Sequence, residues 1–122
     1  ATDHAPHGEE EKQGSMVGAP FGIVGIETAF QLMYSNFVLG GVFTLKQLVD
    51  WMTVKPAALF GMESGTLDIG SQADIAIFDL ENEYEIRSED FLSKATNTPF
   101  TGWKVKGETL YTLVDGKVVY TK

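Results

Sequence analysis

The sequence contains no cysteine and only two histidines, His4 and His7, among its 122 residues. Disulfides and thiolate metal sites are therefore excluded, and any metal must be held by histidine, aspartate or glutamate side chains. Basic residues are also scarce, with 9 Lys and Arg against 17 Asp and Glu, which gives a formal charge of −8. Such an acidic balance argues against binding to nucleic acid or to an anionic membrane, because both need clustered cations.

Long apolar runs are missing as well. No uninterrupted apolar stretch approaches the roughly 18 residues of a membrane span, and the longest candidate, residues 37–43, is broken by Gly40-Gly41. No basic segment followed by an apolar one precedes the first motif, so no secretory signal is expected. Hydrophobic residues make up 43 % of the chain and charged residues 21 %. This composition is typical of a globular protein, and we expect a cytoplasmic one.

The first half of the chain carries helical patterns behind a glycine-rich stretch. Residues 8–22 are punctuated by glycine and are predicted to form a loop. From Ile23 to Phe37 apolar residues recur at helical spacing, which predicts an amphipathic helix. Gly40-Gly41 is predicted to end it.

Two further helices are predicted before residue 62. Thr44 and Gln47 have the spacing of a capping box and predict the start of the second helix. Pro56 suits the first turn of a third, short helix, because its missing N–H is not needed there. Gly61 is predicted to stop that helix.

After Gly65 the apolar pattern changes from helical spacing to alternation. Residues 73–80 are apolar enough to predict a strand covered on both faces. Asp115-Gly116 predicts a tight hairpin turn. Further strands are expected at 103–106, 109–114 and 117–120. Because three or four strands alone would leave an apolar edge or face exposed, we expect partner strands from outside this chain.

Residues 1–7 have the sequence ATDHAPH and contain the main candidates for chemistry. A carboxylate such as Asp3 at the end of a strand can ligate a metal ion, and it can accept a proton from water that the metal acidifies. The pattern alone leaves a structural role open. In that alternative Asp3 is a cap or turn residue and both histidines are surface groups.

The same segment resembles the eighth-strand motif of the amidohydrolase superfamily, which are binuclear metal enzymes built on a TIM barrel. Residues 1–7, followed by 19–23 (APFGI) and 97–100 (NTPF), more closely resemble the bacterial dihydroorotases. Residues 65–74 resemble the segment that leads into the β-domain across that superfamily. The resemblance spans essentially the whole chain in order.

The resemblance implies an α/β fold. Residues 1–61 would supply the C-terminal end of a TIM (β/α)8 barrel, consisting of the last strand end, the active-site loop and helices. Residues 62–122 would form part of a small β-sandwich domain. A whole barrel takes about 250 residues, and the chain opens on a site motif instead of a methionine. We therefore expect a C-terminal piece that works with the N-terminal part of the same enzyme, in a homodimer.

The resemblance also implies roles for individual residues. Asp3 would ligate a metal and act as the general acid and base. His7 would contact the substrate carboxylate, and the backbone of Phe21 and Gly22 would bind the substrate ring, since a glycine allows close approach. For His4, two interpretations stay open: it orients Asp3, or it is an ordinary hydrogen-bonded histidine.

The implied cofactor is a pair of zinc ions, for which this chain supplies one ligand and upstream residues supply the others. The isolated chain is therefore expected to be inactive. Two cationic residues, Lys12 and Arg87, are interpreted as surface charges and not as anion contacts.

The implied reaction is the reversible hydrolysis of dihydroorotate to N-carbamoyl-aspartate in pyrimidine biosynthesis. A hydantoinase or allantoinase is the alternative, since these enzymes share the chemistry of Asp3. A non-catalytic assembly module of amidohydrolase type is the third possibility, and it would lack the paired histidines of the first barrel strand.

Overall fold

The computed structural model describes residues 2–122, so Ala1 of the predicted motif lies outside the described residues. Helices occupy the first half and strands the second, as predicted. The helices are α1 (Glu9–Lys12), α2 (Ala29–Met33), which continues into a π-helical turn (Tyr34–Val38), α3 (Leu45–Met52) and α4 (Val54–Phe60). The strands are β1 (Ile75–Asp79), β2 (Tyr84–Glu85), β3 (Lys104–Val105), β4 (Glu108–Val114) and β5 (Lys117–Thr121), with a 3-10 turn at Ser88–Asp90. Within this described part, no helix is long and apolar enough to cross a membrane.

The predicted start of the first long helix at Ile23 is wrong, because α2 begins six residues later at Ala29. Ile23 instead forms a parallel bridge with His4, which commits its backbone to an extended conformation. Helical spacing of apolar residues cannot reveal such a long-range pairing. The predicted end is confirmed: the helical stretch stops at Val38, ahead of Gly40-Gly41.

Local capping signals determine the next two helices. Oγ1 of Thr44 accepts a hydrogen bond from the backbone N–H of Gln47 at 3.2 Å, and Oε1 of Gln47 accepts from the Thr44 N–H at 2.8 Å. The capping box is thus confirmed. Helix α4 begins at Val54, which places Pro56 in its first turn. Gly61 ends α4 with φ 64°, the left-handed conformation that glycine adopts without steric cost.

The strands form two antiparallel sheets, one of three strands in the order β1-β4-β5 and one pairing β2 with β3. Asp115 and Gly116 connect β4 to β5 with φ values of 50° and 73°. Two successive positive φ angles are those of a type I′ hairpin turn, as predicted. The two residues of β2 were not predicted, because a two-residue strand carries no alternation.

Helix α2 packs on the three-stranded sheet through aromatic rings. The ring of Phe30 stacks on Phe78 of β1 with centroids 3.9 Å apart, and Tyr34 stacks on Phe30 at 5.9 Å. Leu48 of α3 completes this buried cluster. Gly107, at φ 94°, lies directly under the cluster, and a Cβ there would be 3.0 Å from the ring of Phe30. The helix and the sheet therefore approach as closely as a residue without a side chain permits.

The opposite face of the three-stranded sheet is exposed and apolar. Ile77 pairs with Tyr111, and Leu113 pairs with Val118, so all four side chains share one face. Ile77 and Tyr111 are 44 % exposed and Val118 is 58 % exposed. Within residues 2–122, β1 is therefore covered on one face only; cover on its other face depends on the partner strands expected from outside this chain and stays a prediction. The expected exposed apolar face is present.

Replacing Gly107 by alanine should lower the free energy of unfolding more than replacing Gly102. Both glycines have positive φ, 94° and 83°, and each substitution carries a cost of roughly 1–2 kcal/mol for that conformation. Only at Gly107 would the new methyl group also press on Phe30, and overpacking adds about 1–3 kcal/mol; nothing lies within 4 Å at Gly102. Urea titration of both variants measures the difference, and equal losses would contradict the close contact.

Candidate active site

The site is built from two segments that meet through their backbones, residues 3–7 and residues 20–25. The N–H of Ala5 donates to the carbonyl oxygen of Ile23 at 2.9 Å. A Cβ on Gly22, whose φ is 109°, would lie 2.3 Å from the Cβ of Ala5. Only glycine can occupy this position without moving one of the two segments. The loop predicted to bind substrate is thus adjacent to the predicted metal-binding motif.

Asp3 lies at the start of the described chain with an exposed side chain and a φ of 48°. A positive φ is uncommon for residues other than glycine, although aspartate tolerates it better than most. Such backbone conformations persist where the surrounding structure enforces them, and they concentrate at functional sites. The carboxylate is accessible to a ligand.

His4 is held by the backbone of the neighbouring segment. Its Nδ1 accepts hydrogen bonds from the N–H groups of Gly25 and Ile26, at 3.2 and 3.3 Å. An accepting Nδ1 carries no proton, so the proton of the neutral ring is on Nε2. This geometry favours the interpretation of His4 as an ordinary hydrogen-bonded histidine that orders residues 25–26.

His7 contacts the loop directly. Its Nε2 lies 2.8 Å from the carbonyl oxygen of Phe21, and because that oxygen only accepts, Nε2 carries a proton. Its Nδ1 is 3.7 Å from a carboxylate oxygen of Glu11, so a second proton on the ring would create an ion pair. The side chain of Phe21 is 95 % exposed. The structure thus brings His7 and Phe21, two of the predicted substrate-binding residues, into contact.

Lys12 is not the surface charge that the sequence suggested. It is half-buried at the end of α1, and its Nζ donates to the carbonyl oxygens of Pro20 and Gly22 at 2.6 and 2.7 Å. Hydrogen bonds from a charged donor are about twice as strong as neutral ones. Arg87, by contrast, is exposed. Composition alone cannot distinguish the two residues, because the partners of Lys12 lie eight and ten residues away in the chain.

Asn97 connects both segments of the site to a distant part of the chain. Its Oδ1 accepts from the backbone N–H of His7 at 3.0 Å, and its Nδ2 donates to the carbonyl oxygens of Gly22 at 3.2 Å and Ala5 at 3.4 Å. Its own carbonyl oxygen accepts from the N–H of Val24 at 2.9 Å. The sequence drew attention to residues 97–100 only as part of a resemblance and assigned Asn97 no role.

Glu27, next to the site, ties the start of α2 to residues 92–93. Its carboxylate accepts from the backbone N–H groups of Leu92 at 2.8 Å and Ser93 at 3.0 Å. Partial burial raises the pKa of Glu27, but the hydrogen bonds from Ser93 and Leu92 and the nearby His4 outweigh it and lower that pKa below its usual value. The two partners lie 65 and 66 residues away from Glu27 in the chain.

A cavity of about 420 Å³ lies elsewhere, between α2 and the strands, and none of the predicted site residues lines it. Thr28 and Gln31 are buried at its edge, and the hydroxyl oxygen of Thr28 has no partner within residues 2–122. Tyr84 lines the same cavity; burial and the neighbouring Glu108 raise its pKa to about 12. This cavity is separate from the site around Asp3.

Asp3 is the candidate metal ligand of this site. An exposed carboxylate such as Asp3 is a ligand that zinc accepts. Nδ1 of His4 and Nε2 of His7 already bond to backbone atoms. In the part of the chain that the structure describes, no three His, Cys, Asp or Glu side chains lie close enough to hold a metal ion. Asp3 therefore fits one ligand position of a larger site.

Comparison with known proteins identifies the family of the chain. The model of the family described as "Amidohydrolase family" matches residues 1–119. The chain belongs to the amidohydrolase family. Among curated amidohydrolases it is 63 % identical over 122 residues to the dihydroorotase of Enterococcus faecalis, and 56 % identical to that of Geobacillus thermodenitrificans. Each alignment covers all of this chain but only 29 % and 28 % of the relatives. The predicted resemblance is confirmed.

Solved amidohydrolase structures have the same fold over nearly the whole chain. The D-hydantoinase of a Bacillus species, strain AR9, superposes with a TM-score of 0.88 at 34 % identity, covering 98 % of this chain and 27 % of that one. The dihydropyrimidinase of Brevibacillus agri gives a TM-score of 0.87 at 31 % identity, with the same coverage. The mixed helix and strand architecture is therefore that of the amidohydrolases.

The isolated chain should bind zinc weakly or not at all, because one carboxylate cannot replace the several ligands that a tight site needs. Isothermal titration of the 122-residue chain with zinc checks this, with Asp3→Ala as the matched control. Tight binding of two ions per chain would contradict the ligand count.

Proposed function

We propose that this chain is the C-terminal part of a dihydroorotase, which reversibly hydrolyses the cyclic amide of dihydroorotate to N-carbamoyl-aspartate in pyrimidine biosynthesis. The observation that carries the proposal is the contact between the Asp3–His7 segment and the Phe21–Gly22 loop, made by the bond from His7 to Phe21. It occurs in a chain that is 56–63 % identical, over its whole length, to relatives named dihydroorotase.

Asp3 is proposed as a metal ligand and as the general acid and base. Family members depend on metal, and two zinc ions in the complete site would polarise the amide and acidify water. An exposed carboxylate next to that site can take a proton from the attacking water and deliver it to the departing ring nitrogen. The exposed position and positive φ of Asp3 support this role.

His7, Phe21 and Gly22 are proposed to bind the substrate. With its proton on Nε2, His7 is a hydrogen-bond donor, and exchanging the Phe21 carbonyl for a substrate carboxylate would convert a neutral contact into a charge-assisted one. The missing Cβ of Gly22 lets backbone approach the substrate ring. Substrate binding would therefore rearrange the contact between His7 and the loop.

The proposed division of the chain places residues 1–61 at the end of a TIM barrel and residues 62–122 in a small β-sandwich. The exposed apolar face of the three-stranded sheet supports the second part, since it is the face that another sheet would cover. The remaining barrel and metal ligands would come from the N-terminal part of the same enzyme. A homodimer and a cytoplasmic location stay predictions.

A hydantoinase or dihydropyrimidinase is the second candidate, because solved structures of such enzymes share the fold, with TM-scores of 0.81–0.88. Their identities of 31–38 % are well below the 56–63 % to the dihydroorotases. The substrates of the two candidate enzymes share a cyclic amide, but only dihydroorotate carries a carboxylate. A residue that binds this carboxylate therefore distinguishes a dihydroorotase from the second candidate. His7 is that residue in the proposal.

The full-length, zinc-loaded enzyme should hydrolyse dihydroorotate in preference to hydantoin and allantoin, and Asp3→Ala should lower kcat by about a hundredfold to ten-thousandfold, the range for a lost general acid–base. A coupled spectrophotometric assay measures both. Asp68→Ala, at another exposed aspartate, serves as the control and should retain activity. Absence of dihydroorotate turnover would refute the proposal that dihydroorotate is the substrate. Near-normal activity of Asp3→Ala would refute the role of Asp3.

Gly22→Ala should impair the full-length enzyme far more than Gly14→Ala. The two glycines lie in the same loop with φ values of 109° and 118°, but only a Cβ on Gly22 meets another atom, the Cβ of Ala5 at 2.3 Å. Moving a substrate-contacting segment by about 1 Å can cost a hundredfold in rate. Steady-state kinetics of both variants, alongside their circular dichroism spectra, would show the contrast; equal effects would argue against the close approach.

A further inference from the structure

The directions of the carbonyl groups of two peptide units, Pro20–Phe21 and Phe21–Gly22, show how each unit is oriented. In a planar trans peptide the C=O and the following N–H point in opposite directions. The carbonyl of Pro20 points at Lys12 and the carbonyl of Phe21 points at His7. The N–H groups of Phe21 and Gly22 belong to these two peptide units, so both point away from the side chains that hold the carbonyls.

We infer that Lys12 and Asn97 are positioning residues, which fix the peptide units on either side of the Phe21–Gly22 peptide and so hold the loop in the conformation that binds the substrate. The inference rests on the proposed function for the identity of the substrate. The binding chemistry of the loop is that of two backbone N–H donors, which would bind a carbonyl or carboxylate oxygen of the substrate. Neither side chain contacts the substrate itself.

Lys12 acts on the loop from the side of α1. The ammonium group has three N–H donors, and two of them reach the carbonyl oxygens of Pro20 and Gly22, at 2.6 and 2.7 Å. These two carbonyls flank the peptide that joins Phe21 to Gly22. The Phe21–Gly22 peptide itself is held by the hydrogen bond from His7 to the Phe21 carbonyl oxygen, and Lys12 fixes the peptide units on either side of it.

Asn97 acts from the opposite side and sets the spacing between the two segments. Its amide donates to the carbonyl oxygens of Ala5 and Gly22 and accepts from the N–H of His7. One rigid side chain therefore bonds to the metal-binding motif and to the substrate loop at once. Its two donors cannot be replaced by a carboxylate, which only accepts.

The two positioning residues converge on a single atom, the carbonyl oxygen of Gly22. A carbonyl oxygen has two lone pairs, so it can accept both hydrogen bonds. Loss of either donor should loosen the same peptide. The effects of the two substitutions are therefore expected to be coupled, not independent.

The experiment compares Lys12→Met and Asn97→Asp with the wild type in the full-length, zinc-loaded enzyme. Methionine keeps the aliphatic stem of Lys12 without the donors, and aspartate keeps the acceptor for His7 without the donors to Ala5 and Gly22. Each variant should raise KM for dihydroorotate by about tenfold or more, the loss expected for one hydrogen bond to a charged or buried group. The change in kcat should be much smaller, because uniform binding is lost.

Two matched substitutions and one rescue separate positioning from general destabilisation. Lys46→Met removes an exposed lysine that pairs with Asp50, and Asn82→Asp changes an exposed turn asparagine; both should leave KM unchanged. Lys12→Arg restores cationic donors and should recover most of the lost affinity. The Lys12→Met/Asn97→Asp double variant should raise KM by less than the product of the single effects. Unchanged KM in both single variants, or equal effects in the two control variants, would overturn the inference.

Amide hydrogen exchange gives a readout that does not depend on turnover. The N–H of Ala5 is hydrogen-bonded across the two segments, to the carbonyl oxygen of Ile23, and it should exchange faster in Lys12→Met and Asn97→Asp than in the wild type. If the wild type fails to hydrolyse dihydroorotate, the proposed function is wrong, and the exchange rates still decide whether Lys12 and Asn97 hold the loop. Amide exchange at the wild-type rate in both variants would refute the role of Lys12 and Asn97 in holding the loop.

Discussion

Three consecutive carbonyl groups, those of residues 20, 21 and 22, must find hydrogen-bond donors where the loop folds back on residues 3–7. A buried polar group left unpaired costs about 1–3 kcal/mol, and Pro20 and Gly22 are half-buried. The donors come from three side chains outside the loop: Lys12 and His7, which precede it, and Asn97, which is 75 residues beyond Gly22. The conformation of the loop, and with it the geometry of the candidate site, depends on these bonds.

A second constraint holds the two halves of the chain together. Ring stacking between Phe30 and Phe78 joins helix α2 to the three-stranded sheet, and Gly107 leaves the space that the rings occupy. Asn97 lies in the β-rich half of the chain, whereas the loop to which it donates a hydrogen bond lies in the helical half. The packing of helix on sheet therefore brings the asparagine within reach of the site.

Features with local causes were predictable from the sequence. The capping box at Thr44, the left-handed stop at Gly61 and the hairpin turn at Asp115-Gly116 each depend on a few neighbouring residues, and all three are confirmed. The start of α2 was not, because Ile23 pairs with a residue far away in the chain. Lys12 was misinterpreted for the same reason, since only the folded loop brings carbonyl oxygens to its ammonium group.

The sequence by itself determined the order of helices and strands, the membership of the amidohydrolase family and the identity of the candidate residues Asp3, His7, Phe21 and Gly22. These follow from residue types and short spacings. Only the tertiary structure decided how the candidates meet: His7 bonds to Phe21, His4 turns to the backbone of residues 25–26, and Asn97 joins both segments. The physical reason is that each of these contacts joins backbone to side chain over 14 to 92 residues, and no local pattern encodes such a bond.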